Sequence, residues 1–229
     1  MLKTAMLFTR FRIARACARR IFPGVICWLS AAEIFAQATI TGTVELPKAS
    51  VTLPASQRYA SEATPAKAPE PPVAVVYLEG NFPATTSSNR VAQLGQQQLQ
   101  FSTGLLPIQK GTTVEFPNMD EGYHNVFSYS KTKRFDLGRY RKDEKPAAQI
   151  FDQPGVVKIY CEIHEHMHST ILVLDTPYFA KTETNGTYRL ENVPAGAYTL
   201  KAWVSEKVVL QKPVELVAGK TLQVDFSAK

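Results

Sequence analysis

The scarce residues with soft side chains are concentrated in one stretch of the chain. All four histidines, the last cysteine and the last two methionines fall between Met119 and His168. Thiolate, thioether and imidazole ligands select copper or zinc rather than magnesium or calcium. This crowding therefore indicates a transition-metal site.

The spacing of these residues narrows the choice of metal. Cys161, His164 and Met167 follow one another at intervals of three residues, and His124 stands at the start of a predicted strand well upstream. Two imidazoles and a thiolate, with a thioether as a weak axial ligand, form the ligand set of blue copper. The pattern thus favours one copper ion used in electron transfer.

Strand periodicity predicts how Cys161 reaches such a site. In 156–161 the alternation places Val157, Ile159 and Cys161 on one face of a strand. The cysteine then ends the strand while pointing into the core. The short loop after it can fold His164 and Met167 back toward the same metal.

At this point the sequence resembles a known family. The stretch 111–174 resembles the cupredoxins, and the three-residue spacing of Cys, His and Met is similar to that of shorter-loop members such as amicyanin. The resemblance implies a type 1 copper with four ligands and an asparagine beside them whose hydrogen bonds tie the two ligand loops together. In this chain the ligands are His124, Cys161, His164 and Met167, and the asparagine is Asn125.

Two further histidines depart from the family pattern. His166 and His168 are expected to be exposed loop residues, with a weaker second metal site or a titratable rim as alternatives. They leave the identity of the axial ligand open.

The amino terminus has the layout of a secretory signal peptide. Six basic residues precede an apolar run that ends in Ala36-Gln37-Ala38, a small-x-small cleavage site. The apolar run is too short for a spanning helix and is interrupted by Pro23 and Glu33, so we expect residues 1–38 to be removed. The sequence therefore predicts a periplasmic or otherwise exported protein without a stable membrane span.

Short strands separated by turn signals predict an all-β fold. We expect a Greek-key cupredoxin sandwich or barrel over 39–176, starting with a strand at 39–46 and interrupted by a Pro/Ala-rich flexible insertion at 47–72. A short helix is expected near 90–98. The segment 177–229 resembles carboxypeptidase-regulatory-like β-sandwiches and is expected to form a small second sandwich without chemistry of its own.

Charge excludes one class of partner and suggests another. Without residues 1–38 the formal net charge falls from +6 to +1, so we expect no nucleic-acid binding. We expect a redox protein instead, a cytochrome or a dehydrogenase or oxidase. A local basic cluster is either a solvated hairpin or a docking patch for an acidic partner. It comprises Lys131, Lys133, Arg134, Arg139, Arg141, Lys142 and Lys145.

Other functions explain this set of residues less well than a copper site does. A cysteine hydrolase would leave His124 and Met167 idle, and a copper oxidase needs more histidines than this chain has. A zinc site would favour more cysteines, or an open position without methionine. We therefore expect no enzyme. The alternative to an electron carrier is a periplasmic copper-sequestration or resistance protein that uses the same loop.

Overall fold

The computed structural model describes residues 37–48, 70–82, 90–144, 146 and 148–227. Nearly all of the predicted signal peptide, and the part of the Pro/Ala-rich insertion at 49–69, lie outside the described residues. The described part of the chain is all-β, which confirms the predicted fold class. Its strands in chain order are β1 (Ala38–Thr43), β2 (Val75–Glu79), β3 (Val91–Gln93), β4 (Gln96–Gln97), β5 (Gln100–Phe101), β6 (Leu105–Gln109), β7 (Thr112–Glu115), β8 (His124–Tyr129), β9 (Arg134–Tyr140), β10 (Gln149–Phe151), β11 (Gly155–Tyr160), β12 (His168–Leu174), β13 (Phe179–Lys181), β14 (Thr187–Val193), β15 (Gly196–Ser205), β16 (Val208–Leu216) and β17 (Thr221–Gln223).

The first sandwich packs a five-stranded sheet on a three-stranded one. The larger sheet has the order β6-β12-β11-β8-β9, and the smaller has the order β10-β7-β3. Alternate residues point inward from both sheets, as for Val157 and Ile159 of β11 against Val114 of β7 and Phe151 of β10. Their common core also contains Cys161, so the sulfur lies inside this sandwich.

The second sandwich joins the carboxy-terminal strands to the first two strands of the described chain. One sheet has the order β14-β1-β17, and the other has the order β13-β2-β15-β16. Ile40 of β1 and Leu78 of β2 are fully buried in the core that they share with Leu190 and Leu200. Ala38, the last residue of the predicted leader, is buried in the same core as the first residue of β1.

These pairings correct the sequence assignment of two strands. The sequence places 39–46 and the strand at 72–78 in the copper domain. Instead, β1 pairs with β14 and β17, and β2 pairs with β13 and β15. Alternation marks a segment as a strand but carries no information about its distant partners. The first sandwich is therefore inserted between strands of the second.

The short helix expected near 90–98 is also wrong. This segment forms β3, which runs parallel to β7, and β4, which begins the small hairpin with β5. Gln96 is fully buried there, and its backbone N–H donates to the carbonyl of Pro117 at 2.9 Å. Long-range backbone pairing has overridden the weak helical preference of glutamine.

The two sandwiches meet in a small apolar cluster. Leu172 and Leu174 of β12 point away from the core that contains Cys161 and pack against Val75 of β2 and Trp203 of β15. Lys158 of β11 adds an ion pair across this junction with Glu206. Among the residues that the structure describes, none forms a helix long and apolar enough to cross a membrane.

Candidate metal centre

Two adjacent strands bring the first histidine and the cysteine together. His124 begins β8, and Cys161 directly follows β11, which is antiparallel to β8. Because the strands run in opposite directions, the start of one lies beside the end of the other. Both side chains point into the core, where His124 is 0% exposed and Cys161 is buried.

Three side chains converge on one point at this end of the sandwich. The Nδ1 atoms of His124 and His164 lie 3.1 Å apart, and the Cys161 Sγ lies 3.9 Å from the first and 3.7 Å from the second. His124, Cys161 and His164 are the group of candidate metal ligands found in the described part of the chain. The three residues predicted from the spacing as thiolate and imidazole ligands are therefore brought together.

The triangle has dimensions suited to a transition-metal ion. A point equidistant from its three corners lies about 2.1 Å from each atom, as the three side lengths require. Nitrogen and sulfur ligands bind Zn²⁺ at about 2.0–2.3 Å, and soft thiolate with imidazole is equally suited to copper. The residues present thus fit a mononuclear copper or zinc ion bound through both Nδ1 atoms and the sulfur.

The loop from Cys161 to Met167 is closed by its own backbone. The N–H of Met167 donates to the carbonyl of His164 at 2.9 Å, and the N–H of Cys161 donates to the carbonyl of Met167 at 3.2 Å. Met167 is buried in the same core as Cys161. Its backbone and burial place it next to the site, and its role as axial ligand stays a prediction.

Asn125 links the two segments that carry the candidate ligands. It is buried directly after His124, and its side-chain oxygen accepts the N–H of Glu162 at 2.7 Å. Glu162 directly follows Cys161, so this bond ties the start of β8 to the start of the ligand loop. The influence of Asn125 on the Cys161 sulfur stays a prediction.

Hydrogen bonding makes the sulfur acidic. Burial raises the pKa of Cys161. Hydrogen bonds from His124 and His164, and from the backbone of Asn125, lower it by a larger amount, so that the pKa falls to about 5. Burial lowers the pKa of His124, whereas its contacts with Cys161 and Asp120 raise it, and the net shift is upward. A thiolate beside two imidazoles is the ligand state that a soft metal requires.

Asp120 is a site residue that the sequence reasoning missed. Its Oδ2 lies 2.9 Å from the Nε2 of His124, on the opposite side of the ring from the three converging atoms. Burial raises the pKa of Asp120, but hydrogen bonds from Leu99, His124 and Gln98 lower it below its ordinary value. A carboxylate four residues before a predicted ligand was the available signal, since ligating histidines commonly donate their second N–H to a carboxylate.

The two additional histidines lie outside the converging group. The Nε2 of His166 lies 2.9 Å from the carbonyl oxygen of Leu99, so this side chain is bound to the β4–β5 hairpin. His168 is exposed at the start of β12, opposite Tyr160. Neither residue joins a group of three candidate ligands in the described ranges. The auxiliary metal site and the titratable rim stay predictions.

The basic cluster lies along the edge strand β9 and the turns beside it. Arg139 pairs with Glu162, and Lys142 pairs with Glu121. Arg134 stacks over the exposed ring of Tyr129, with its guanidinium carbon 5.4 Å from the ring centroid. Lys145, the last member of the cluster, lies outside the described residues.

The comparisons with known proteins fall on different parts of the chain. The family described as polysaccharide lyase family 4, domain II, matches residues 167–224. No curated protein matches the chain. The carboxypeptidase-regulatory-like resemblance of 177–229 therefore stays a prediction.

Solved structures that are similar to part of the chain include amicyanin mutants and a purple cupredoxin. One is an amicyanin mutant in its reduced Cu(I) form, at 17% identity and a TM-score of 0.34, covering 43% of this chain and 98% of that chain. Another is an oxidized amicyanin mutant, at 19% identity and a TM-score of 0.33, covering 40% and 87%. A third is a purple cupredoxin from Nitrosopumilus maritimus, at 23% identity and a TM-score of 0.32, covering 38% of this chain and 100% of that chain.

Proposed function

We propose that the protein is an exported mononuclear copper protein that carries single electrons between redox partners. The observation that carries this proposal is the buried triangle of two Nδ1 atoms and one sulfur, whose corners share a point about 2.1 Å away. Copper bound there would supply a one-electron couple between Cu(II) and Cu(I). The residues around the proposed ligands would hold them in position, exclude water and connect the site to the surface.

The fixed positions of the ligands support electron transfer. His124 belongs to an interior strand of the larger sheet, and Cys161 is held by its backbone bond to Met167 and by its place in the core. Ligands set in this way move little when the charge on the metal changes. Small movement lowers the reorganisation needed for each transfer and is the reason a carrier benefits from a rigid site.

The difference in exposure between the two histidines indicates the side of the site through which an electron would pass. His164 is 9% exposed, whereas His124 is 0% exposed. His164 is therefore the most exposed of the four proposed ligands, and it would offer a short path for an electron between the metal and a docked protein. Met167, as the fourth and axial ligand, would complete the predicted type 1 set.

A cycling experiment distinguishes the carrier from the sequestration alternative. The chain from Thr39 to Lys229 is loaded with Cu(II), reduced with ascorbate and reoxidised with ferricyanide, and copper is measured by mass after each step. We expect one copper per chain in both oxidation states over repeated cycles. Release of copper at each oxidation would favour Cu(I) sequestration and contradict the carrier.

A matched variant tests Met167 in the same experiment. Met167→Leu keeps the apolar volume but removes the thioether, so packing changes little. We expect this variant to retain copper and to show an altered visible spectrum and midpoint potential, because a weak axial ligand tunes both. An unchanged spectrum and potential would exclude Met167 as a ligand.

The basic cluster supports an acidic redox partner. Lys131 is exposed, Lys133 is partly exposed, and neither has an ion-pair partner in the described ranges. With ferricyanide as an anionic electron acceptor, we expect Lys133→Glu to slow oxidation of the reduced copper severalfold at low salt. Lys220→Glu, an exposed control on the second sandwich, should have little effect. Equal effects of the two variants would contradict the docking patch.

A further inference from the structure

A single carboxylate connects the first histidine to the hairpin that covers the site. The Asp120 side chain, 13% exposed, receives three hydrogen bonds. Its Oδ2 lies 2.9 Å from the Nε2 of His124 and 3.0 Å from the backbone N of Leu99, and its Oδ1 lies 2.7 Å from the backbone N of Gln98. None of these bonds was expected from the sequence.

The hydrogen bond determines which ring nitrogen of His124 carries the proton. The Nδ1 faces the sulfur and the second histidine, so Nε2 is the atom that donates to the carboxylate. A histidine that donates to an anion becomes a stronger electron donor through its other nitrogen. A negative charge at this distance also stabilises a doubly charged ion more than a singly charged one.

We propose that Asp120 is a positioning residue for His124, which fixes its ring and tautomer and lowers the reduction potential of the bound copper. This inference rests on the proposed copper site. It goes beyond that proposal because it assigns the setting of the potential to a named side chain outside the ligand set.

The carboxylate cannot readily turn away from the histidine. Gln98 and Leu99 form the turn between β4 and β5, with φ of 55° and 58°. Such left-handed positions usually need glycine or asparagine, and each costs a side-chain residue about 1 kcal/mol. Asp120 stabilises this turn by accepting both backbone N–H groups. This β4–β5 turn also holds the carboxylate of Asp120 in place.

The same hairpin contacts the ligand loop. The carbonyl of Leu99 lies 2.9 Å from the Nε2 of His166, which stands between His164 and Met167 in sequence. Asp120 is thus held by a hairpin that is itself bound to the ligand loop. A role confined to supporting this hairpin would change stability but would not move the potential in a defined direction.

Spectroelectrochemical titration of the copper-loaded protein tests the proposal. Asp120→Asn removes the charge and retains an oxygen that can accept the His124 proton. We expect the equilibrium between Cu(II) and Cu(I) at a fixed ambient potential to shift at least tenfold toward Cu(I), which is 59 mV for one electron. The neighbouring Glu121→Gln is the control, since Glu121 is 88% exposed and pairs with Lys142. We expect the control to shift this equilibrium less than twofold, and an equal shift in both variants would overturn the proposal.

A second variant separates the effect of Asp120 on His124 from its effect on the turn between β4 and β5. Gln98→Gly relieves the left-handed strain, because glycine adopts positive φ freely, and the side chain that it removes is exposed. The double variant Gln98→Gly, Asp120→Asn is then compared with the single variant Gln98→Gly in the same titration. A folding defect of the hairpin therefore does not decide the result. We expect the same tenfold shift, and its absence here would overturn the proposal.

Proton NMR of the diamagnetic Cu(I) protein gives a readout apart from the potential. We expect a slowly exchanging, downfield Nε2 proton of His124 in the parent chain, and an upfield shift with faster exchange in Asp120→Asn. An unchanged signal would overturn the proposal. If the parent chain formed no thiolate-copper band at all, the proposed function itself would fail, and that outcome is distinct from an intact band with an unmoved potential.

Discussion

At the scale of single residues, the site is held by hydrogen bonds between segments far apart in sequence. The buried side chain of Asn125 joins the start of β8 to the residue after Cys161. Asp120 performs the corresponding task on the other side of His124. Hydrogen bonds on both sides of His124 therefore help to position the three converging atoms.

Removing the Asn125 side chain tests how much this bond contributes. Asn125→Ala leaves the N–H of Glu162 without its acceptor, and we expect the metal-free chain to lose about 1–3 kcal/mol of unfolding free energy. Urea unfolding measures the loss. Asn185→Ala is the control, because that side chain also accepts a backbone N–H, from Thr187, but is exposed. Equal losses in the two variants would contradict a special role for the buried bond.

The residue scale also shows which parts of the candidate site local spacing can predict. Cys161, His164 and the inward alternation of β11 follow from local spacing, and the structure brings these residues to His124. Asp120 has no such periodic signal, because it lies in a loop whose path depends on distant contacts. Its spacing of four residues from His124 was the one local signal, whereas its contacts with Gln98 and Leu99 join segments far apart in sequence.

At the scale of elements, the strands were predicted better than their partners. The segments of β1 and β2 were expected as strands, but their assignment to the first sandwich was wrong. β1 pairs in parallel with β17, almost the whole described chain away. A period of two identifies an exposed and a buried face, and any sheet with a matching apolar face can accept the strand.

A single glycine tests the position of β1 between its neighbours. A Cβ on Gly42 would lie 1.8 Å from the carbonyl oxygen of Val224, so Gly42→Ala forces the carboxy-terminal segment away from β1. We expect a loss of about 3 kcal/mol in unfolding free energy. Gly122→Ala is the control, since nothing lies within 4 Å of its Cβ position. If both variants were equally stable in urea, the pairing of β1 would be contradicted.

At the scale of the whole molecule, the two sandwiches share an apolar junction and interleaved connectivity. The chain enters the second sandwich, leaves it to form the first, and returns along β13. Leu174 of β12 and Trp203 of β15 lie in the shared cluster. Unfolding of one sandwich would expose this cluster and release the strands that bracket the other.

Trp203 provides a direct test of that coupling. Trp28 lies in the predicted leader, so Trp203 is the only tryptophan of a chain that starts at Thr39. We expect its fluorescence transition in urea to coincide with the loss of copper absorbance. Leu174→Ala should lower both midpoints together, because it leaves a cavity worth about 2–5 kcal/mol. A copper band that survives the fluorescence transition would show that the sandwiches unfold independently.

The most direct test of the copper site is the visible absorption spectrum of the chain 39–229 after Cu(II) loading. We predict an intense sulfur-to-copper charge-transfer band at one copper per chain, because Cys161 Sγ and the two Nδ1 atoms share one metal position. The Cys161→Ser variant should lose this band, and His168→Gln, outside the site, should keep it. A colourless parent chain, or a band that persists in Cys161→Ser, would contradict the account.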